Sequence, residues 1–197
     1  LGAIEAFIDC ILIFVDPRFI MHSAFVQLVN CFVGVHYNYS FIKMLVLKAI
    51  TVATIDIAKA TLINQHRLHD NAWVNYKFNS FGWLNTSTDL YYLSEESGYA
   101  HLYLKPLNGQ ARAVTSGIFE VDSLTLTSDD QFMYFKSNKK HSGIYEIYRV
   151  ALADNSLQEI TNLNGMTDYQ LSPDEHSLLL THSSLVRPPE LYLQSVD

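Results

Sequence analysis

The sequence predicts an all-β fold: a partial β-propeller of about three to four blades of four-stranded antiparallel sheet, preceded by an apolar leader. Three observations predict it. Beyond about Thr51, the 197-residue chain breaks into short β-type runs separated by polar turns, with Tyr, Leu, Thr and Ser dominant. Three of its segments align with one another. Their landmarks share one period, because Leu84, Leu126 and Leu171 lie 42 and 45 residues apart while Tyr103, Tyr148 and Tyr192 lie 45 and 44 apart. Periods of roughly 40–50 residues, each holding about four short strands, are the mark of propeller blades.

The leader, residues 1–45, has a different texture. Of the first 50 residues, 34 are apolar, and both cysteines, Cys10 and Cys31, fall there. The charge-free stretch from Phe19 to Ile42 is long enough to span a bilayer, but His22, Gln27, Asn30, His36 and Asn38 dilute it. Glu5 and Asp9 replace the basic start of a secretory signal. The leader is therefore read as a helix or a fragment boundary rather than a membrane anchor. Residues 46–64, containing VATIDIAKATLI, read as the tail of a preceding blade, and the blades proper as 78–117, 120–162 and 165–197. In each blade a strand enters a turn containing Asp (Ser87–Asp89, Ser128–Asp130, Ser172–Asp174) and is followed by a strand of Tyr, Phe or Leu. A later hairpin arm, HLYLKPL, IYRVAL or ELYLQSV, closes the unit. Alternate side chains on such strands face opposite ways, and a blade between two neighbours buries both faces. Asn108-Gly109 and Asp154-Asn155 read as hairpin turns that tolerate positive φ, and Pro188-Pro189 as a break before the last strand. An arc of this size leaves two sheet faces open, so the chain reads as a piece of a longer protein.

Composition narrows the function classes. Thirteen basic against 20 acidic side chains give a net charge of −7, which leaves no basic surface for a phosphate backbone, so no nucleic-acid partner is expected. Two cysteines cannot form a disulfide framework.

The strings SEESGYAHLYL (Ser94–Leu104) and TSGIFEVDSL (Thr115–Leu124), followed by YFKS, IYEIYRV, LSPDEHSLLL and SSLVRPPELYL, resemble the propeller domain of dipeptidyl peptidase IV and its relatives in the prolyl oligopeptidase class of serine peptidases. HDNAWVNYKF (His69–Phe78) is similar to the Trp-Val segment of that family, and the resemblance runs in order over residues 46–197. It implies a propeller that gates and lines the substrate cavity of an enzyme removing dipeptides from peptide N-termini. The catalytic Ser, Asp and His would lie in a separate α/β-hydrolase domain. None of the eight glycines is followed two positions later by Ser, so the nucleophile elbow is missing here. No catalytic residue is assigned, and this chain is not expected to hydrolyse peptides alone. No cofactor is implied, since acyl transfer at such a site needs none. The implied partner is a peptide substrate, with homodimerisation of the full-length protein and its compartment (periplasmic, extracellular or cytoplasmic) left open. The alternative reading is a stand-alone propeller serving as a protein-interaction scaffold, although WD dipeptides are missing.

For substrate contact the candidates are Tyr76 and Lys77, which follow Trp-Val, while Trp73 and Phe78 read as blade core. The family's amine-binding glutamate pair belongs to a helical insertion earlier in the propeller, so Glu95-Glu96 reads as a solvated hairpin loop. His66, His69 and Asp70 include metal-ligand types, but they read as a polar loop between strands, and no metal site is assigned. His101 reads as a buried hydrogen-bonding residue. Asn38-Tyr39-Ser40 and Asn85-Thr86-Ser87 match glycosylation sequons.

Overall fold

The fold was established from a computed structural model, which describes residues 35–36, 39–46, 49–56, 59, 61–75, 77–78 and 80–196; for the strands between 35 and 46 the backbone path alone is described. Every regular element among these residues is a β-strand. Four strands, β1 (Val35–His36), β2 (Tyr39–Val46), β3 (Ala49–Asp56) and β4 (Thr61–His69), pair in sequence order as the first sheet. The second sheet has β5 (Phe81–Trp83), β6 (Asp89–Ser94), β7 (His101–Pro106) and β8 (Arg112–Ala113). The third has β9 (Val121–Leu126), β10 (Phe132–His141), β11 (Ile144–Ala151) and β12 (Leu157–Glu159), and the fourth β13 (Met166–Leu171), β14 (Ser177–Ser184) and β15 (Arg187–Ser195). Within each sheet neighbouring strands are antiparallel. A single parallel bridge, Tyr145 to Met166, joins the third sheet to the fourth.

The second to fourth sheets fall inside the three repeat units. The first sheet departs from expectation, since it reaches upstream of position 46: residues 35–36 and 39–45 are strand, not helix. The rest of the leader, with Cys10 and Cys31, and the Asn38 sequon position lie outside the described residues.

Apolar packing between blades explains why both strand faces carry large side chains. Leu93, Leu102 and Leu104 of the second blade pack with Val121, Met133, Phe135 and Tyr148 of the third. Tyr134 and Ile147 on the opposite face of the third pack with Leu178, Leu180 and Val196 of the fourth. The Asp-containing turns add polar joints at the same period. Asp130 accepts from the Asn85 and Thr86 amides at 2.8 and 2.6 Å, and Glu175, 45 positions on, accepts from the Ser128 amide at 2.7 Å. Both acceptors sit at positive φ, 58° and 63°. The Asn85 side-chain amide is engaged as well, donating to Asp130 and to the Thr127 carbonyl. A glycan there would have to break this joint.

Two turn expectations are corrected. Asn155 does take positive φ (61°), but Asn108-Gly109 does not use it. Gly109 is required by close approach instead, since a Cβ there would lie 2.9 Å from the Pro106 ring. Pro188 and Pro189 do not precede the last strand; they lie inside β15, at the start of an edge strand, where a missing N–H costs no ladder bond.

Candidate functional site

Strand direction sorts the loops into two ends. The turns at 84–88, 107–111, 127–131, 152–156 and 172–176 share one end, which is polar. The opposite end carries the connections 70–80, 114–120 and 160–165 and the hairpins after β6, β10 and β14. Large apolar side chains are exposed at this end: Trp73 at 60%, Ile118 at 85%, Leu185 at 107% and Val186 at 89%.

Lys77 lies in the 70–80 connection and reaches past the second blade to the third. Its Nζ is 3.2 Å from Asp122 Oδ2, and the rings of Phe78 and Tyr145 lie 5.2 and 5.9 Å away. Burial alone would lower the Lys77 ammonium, but the Asp122 hydrogen bond and charge, with Tyr145 and Glu120 adding to them, hold it above its ordinary value. The Tyr145 ring is shared with Lys136, whose Nζ is also 5.9 Å from its centre and pairs with Asp168. The Tyr145 hydroxyl donates to Glu120 at 3.4 Å, and burial with the charge of Glu120 pushes its phenol up. The arrangement is a half-exposed cation seated between aromatic rings and fixed by a largely buried carboxylate. It can donate hydrogen bonds, and it has no nucleophile–base pair for catalysis.

Of the two sequence candidates, Lys77 is therefore at this cluster and Tyr76 lies outside the described residues. Phe78 is core, at 3% exposure, whereas Trp73 is not. Sequence reasoning missed Asp122, Glu120, Tyr145 and Lys136, because they come from the next blade, more than 40 residues away, and no local motif links them to Lys77. It also missed a role for Glu95. Glu96 is exposed, as expected of a loop, but Glu95 turns back to accept the Asn75 amide at 3.3 Å and so ties down the Trp-Val segment. Burial, partly opposed by that hydrogen bond, and the nearby charges of Glu120 and Asp70 raise its carboxyl.

His66 and His69 are not in a loop; both belong to β4. His66 stacks on Tyr92 at 4.3 Å, and Asp70 caps the Ala72 and Trp73 amides. Among the described residues no group of three metal-ligating side chains is assembled, and no helix is long and apolar enough to cross a membrane. His101 is 1% exposed and bonded to Thr115 Oγ1 at 3.1 Å and the Gly117 carbonyl at 3.0 Å. A cleft of about 240 Å³ lies between the second and third blades, lined by Val114, Thr115, Phe119, Val150 and Leu157. It contains none of the Lys77 cluster.

The blades and the Lys77 cluster define a propeller segment with a charged, aromatic site at one end. The chain belongs to the family described as the dipeptidyl peptidase IV (DPP IV) N-terminal region, whose model matches residues 46–189. It is similar to a dipeptidyl peptidase 4 of Trichophyton equinum, 35% identical over 72 residues that cover 36% of this chain and 9% of that protein. It is also similar to a probable dipeptidyl peptidase 4 of Aspergillus clavatus, 30% identical over 110 residues covering 53% of this chain and 14% of that protein. In fold it resembles the crystal structure of Porphyromonas gingivalis dipeptidyl peptidase 4, with a TM-score of 0.70 and 16% identity over 80% of this chain and 23% of that one. The chain thus spans a small part of the length of the relatives it matches.

Proposed function

We propose that this chain is propeller from a serine-type dipeptidyl peptidase, and that it gates and lines the cavity in which peptide N-termini are cleaved. Membership of the family over residues 46–189 carries this reading. On it, the apolar end faces a hydrolase domain that supplies the Ser, Asp and His. A propeller admits short peptides, excludes folded proteins, and contributes binding energy remote from the reacting bond. Lys77, with Tyr76 beside it in sequence, is the candidate for substrate contact, its ammonium donating to the peptide. Asp122 and Tyr145 restrict where that ammonium can go.

The test uses the complete protein encoded by the reading frame that contains this chain. Purified, it should release N-terminal dipeptides ending in Pro or Ala and lose that activity to a serine-directed inhibitor. Lys77→Gln should raise KM more than it lowers kcat, the sign of lost binding contact. A protein with no hydrolase domain and no peptidase activity defeats the reading and leaves a binding scaffold in its place.

A further inference from the structure

Asp122 is fixed by a strained stretch of backbone that the propeller repeat does not explain. Ser123, the next residue, takes φ 56°, a left-handed conformation costly for a non-glycine residue. The pairing of β9 with β10 slips at this point, between Tyr134 and Lys136, as a bulge does. Neither β5 nor β13, the first strands of the flanking blades, has a residue at positive φ. The bulge is held from two sides. The Ser123 amide donates to Asp122 Oδ1 at 2.8 Å, and the Tyr169 hydroxyl, from β13, donates to the Ser123 carbonyl at 2.6 Å with Thr125 Oγ1 3.0 Å away. One oxygen of Asp122 is thus turned to its own backbone, and the other meets Lys77 at 3.2 Å. Bulges that re-aim a side chain, and strain kept at one defined place, point to a function beyond folding.

We infer that Asp122, set by the Ser123 bulge and Tyr169, is a specificity-determining residue: it masks the Lys77 charge, so that the ammonium serves neutral peptide groups and does not favour anionic side chains. The inference rests on the proposed role of Lys77 in meeting the peptide. Lys77 is half-exposed and so remains reachable, while Asp122 is nearly buried and stays with it. An ammonium paired in this way presents hydrogen-bond donors with little net charge, suited to a carbonyl oxygen. With the carboxylate gone, the same group becomes a monopole that attracts carboxylates.

The experiment measures kcat/KM of the complete peptidase on two dipeptide anilides that differ only in Asp or Asn at the N-terminal residue. The proteins are wild type, Asp122→Asn, Lys77→Gln and the double variant. Asp122→Asn should raise the Asp-to-Asn ratio about three- to tenfold at low salt, and less at high salt. Lys77→Gln, at an exposed position that tolerates change, leaves the Asp122 charge unpaired and should lower the ratio, and the double variant, with neither charge, should return to about the wild-type ratio. Tyr169→Phe loosens the bulge and should move the ratio in the same direction as Asp122→Asn, by less. If Lys77→Gln raises KM while Asp122→Asn leaves the ratio unmoved, the masking role is wrong and the substrate-contact reading stands. If Lys77→Gln changes KM for neither peptide, or the wild-type protein cleaves neither, the contact reading falls and takes the inference with it. Should Asp122→Asn fail to fold, a ratio unchanged by Lys77→Gln overturns the inference by itself.

Discussion

Glu146 is a fully buried carboxylate, and its removal tests how the blades are closed. It lies on β11, at 0% exposure, and accepts three hydrogen bonds from the chain that leaves β12: Thr161 Oγ1 at 2.5 Å and the Leu163 and Asn164 amides at 2.7 Å each. The position recurs. His101 stands 45 residues earlier and holds Thr115 and Gly117, and in both blades the threonine hydroxyl also takes the next strand amide, Leu102 at 3.0 Å or Ile147 at 2.9 Å. Glu146→Ala strands three donors in a buried site. At roughly 1–3 kcal/mol for each unsatisfied group, reduced where water enters, the loss is about 3–5 kcal/mol. Urea unfolding gives the global value, and native-state hydrogen exchange at Leu163 and Asn164 should speed up on the order of a hundredfold or more. Glu146→Gln keeps an acceptor for the two amides but replaces the oxygen that accepts from Thr161 with an amide donor and removes the charge, so about 1–2 kcal/mol is expected. If Glu146→Ala costs under about 0.5 kcal/mol and leaves those amides protected, the clamp does not hold the blade and the reasoning fails.

Other outcomes follow from the same packing. Gly165→Ala should cost at least about 2–3 kcal/mol in urea unfolding, because a Cβ there would fall 2.2 Å from the Ser183 carbonyl oxygen and 2.6 Å from the His182 ring. Gly98→Ala meets nothing within 4 Å and pays only for its φ of +96°, about 1 kcal/mol. The His101 imidazole is pushed below its ordinary value by burial, an effect only partly offset by the Gly117 carbonyl. The native state therefore binds fewer protons than the unfolded chain, so stability holds above about pH 7 and falls as pH drops through about 6.5. His101→Gln should flatten that limb of a urea-midpoint profile. Asp130 has the same sign in a more acidic window. Burial raises its carboxyl, but the Thr86 hydroxyl and the Asn85 and Thr86 amides outweigh it and leave the pKa depressed. Its contribution is present above about pH 4 and lost as pH falls through the lowered folded value. The stability gap between wild type and Asp130→Asn should be constant near neutrality and close in acid.

Repetition made most of the fold legible. One landmark per blade, Tyr103, Tyr148 and Tyr192, located three third strands, because each blade buries the same positions against its neighbour. The first sheet was legible only in its later half, where residues 46–64 read as the tail of a preceding blade. Strands β1 and β2 were not read as strands, because no landmark of the 42–45 residue period reaches that far upstream. Asn108-Gly109 showed that a turn can be located for the wrong reason, since the glycine answers to the Pro106 ring and not to positive φ. The Trp-Val motif drew attention to Lys77, which lies in the charged, aromatic cluster. Asp122 was not, because its partner comes from a different blade and its aim depends on a backbone conformation at Ser123 that serine does not advertise.

A repeat also exposes what departs from it. The connection between β4 and β5 holds 11 residues, against seven between β8 and β9 and six between β12 and β13. Joining the outer strand of one blade to the first strand of the next needs only six or seven residues, so the extra length at 70–80 has no use in closing a blade. It is the length that carries Lys77 beyond its own blade to Asp122. Among the described residues the one first-strand bulge, at Ser123, lies where that lysine lands. The two departures from one period meet in the 3.2 Å contact between Lys77 and Asp122, 45 residues apart in sequence, and closing the blades requires neither of them. The same comparison separates His101 and Glu146, which differ in chemistry but occupy one repeat position and do one structural task. Variation within the period is tolerated when the hydrogen bonds are kept, and a break in the period is where a binding role should be sought.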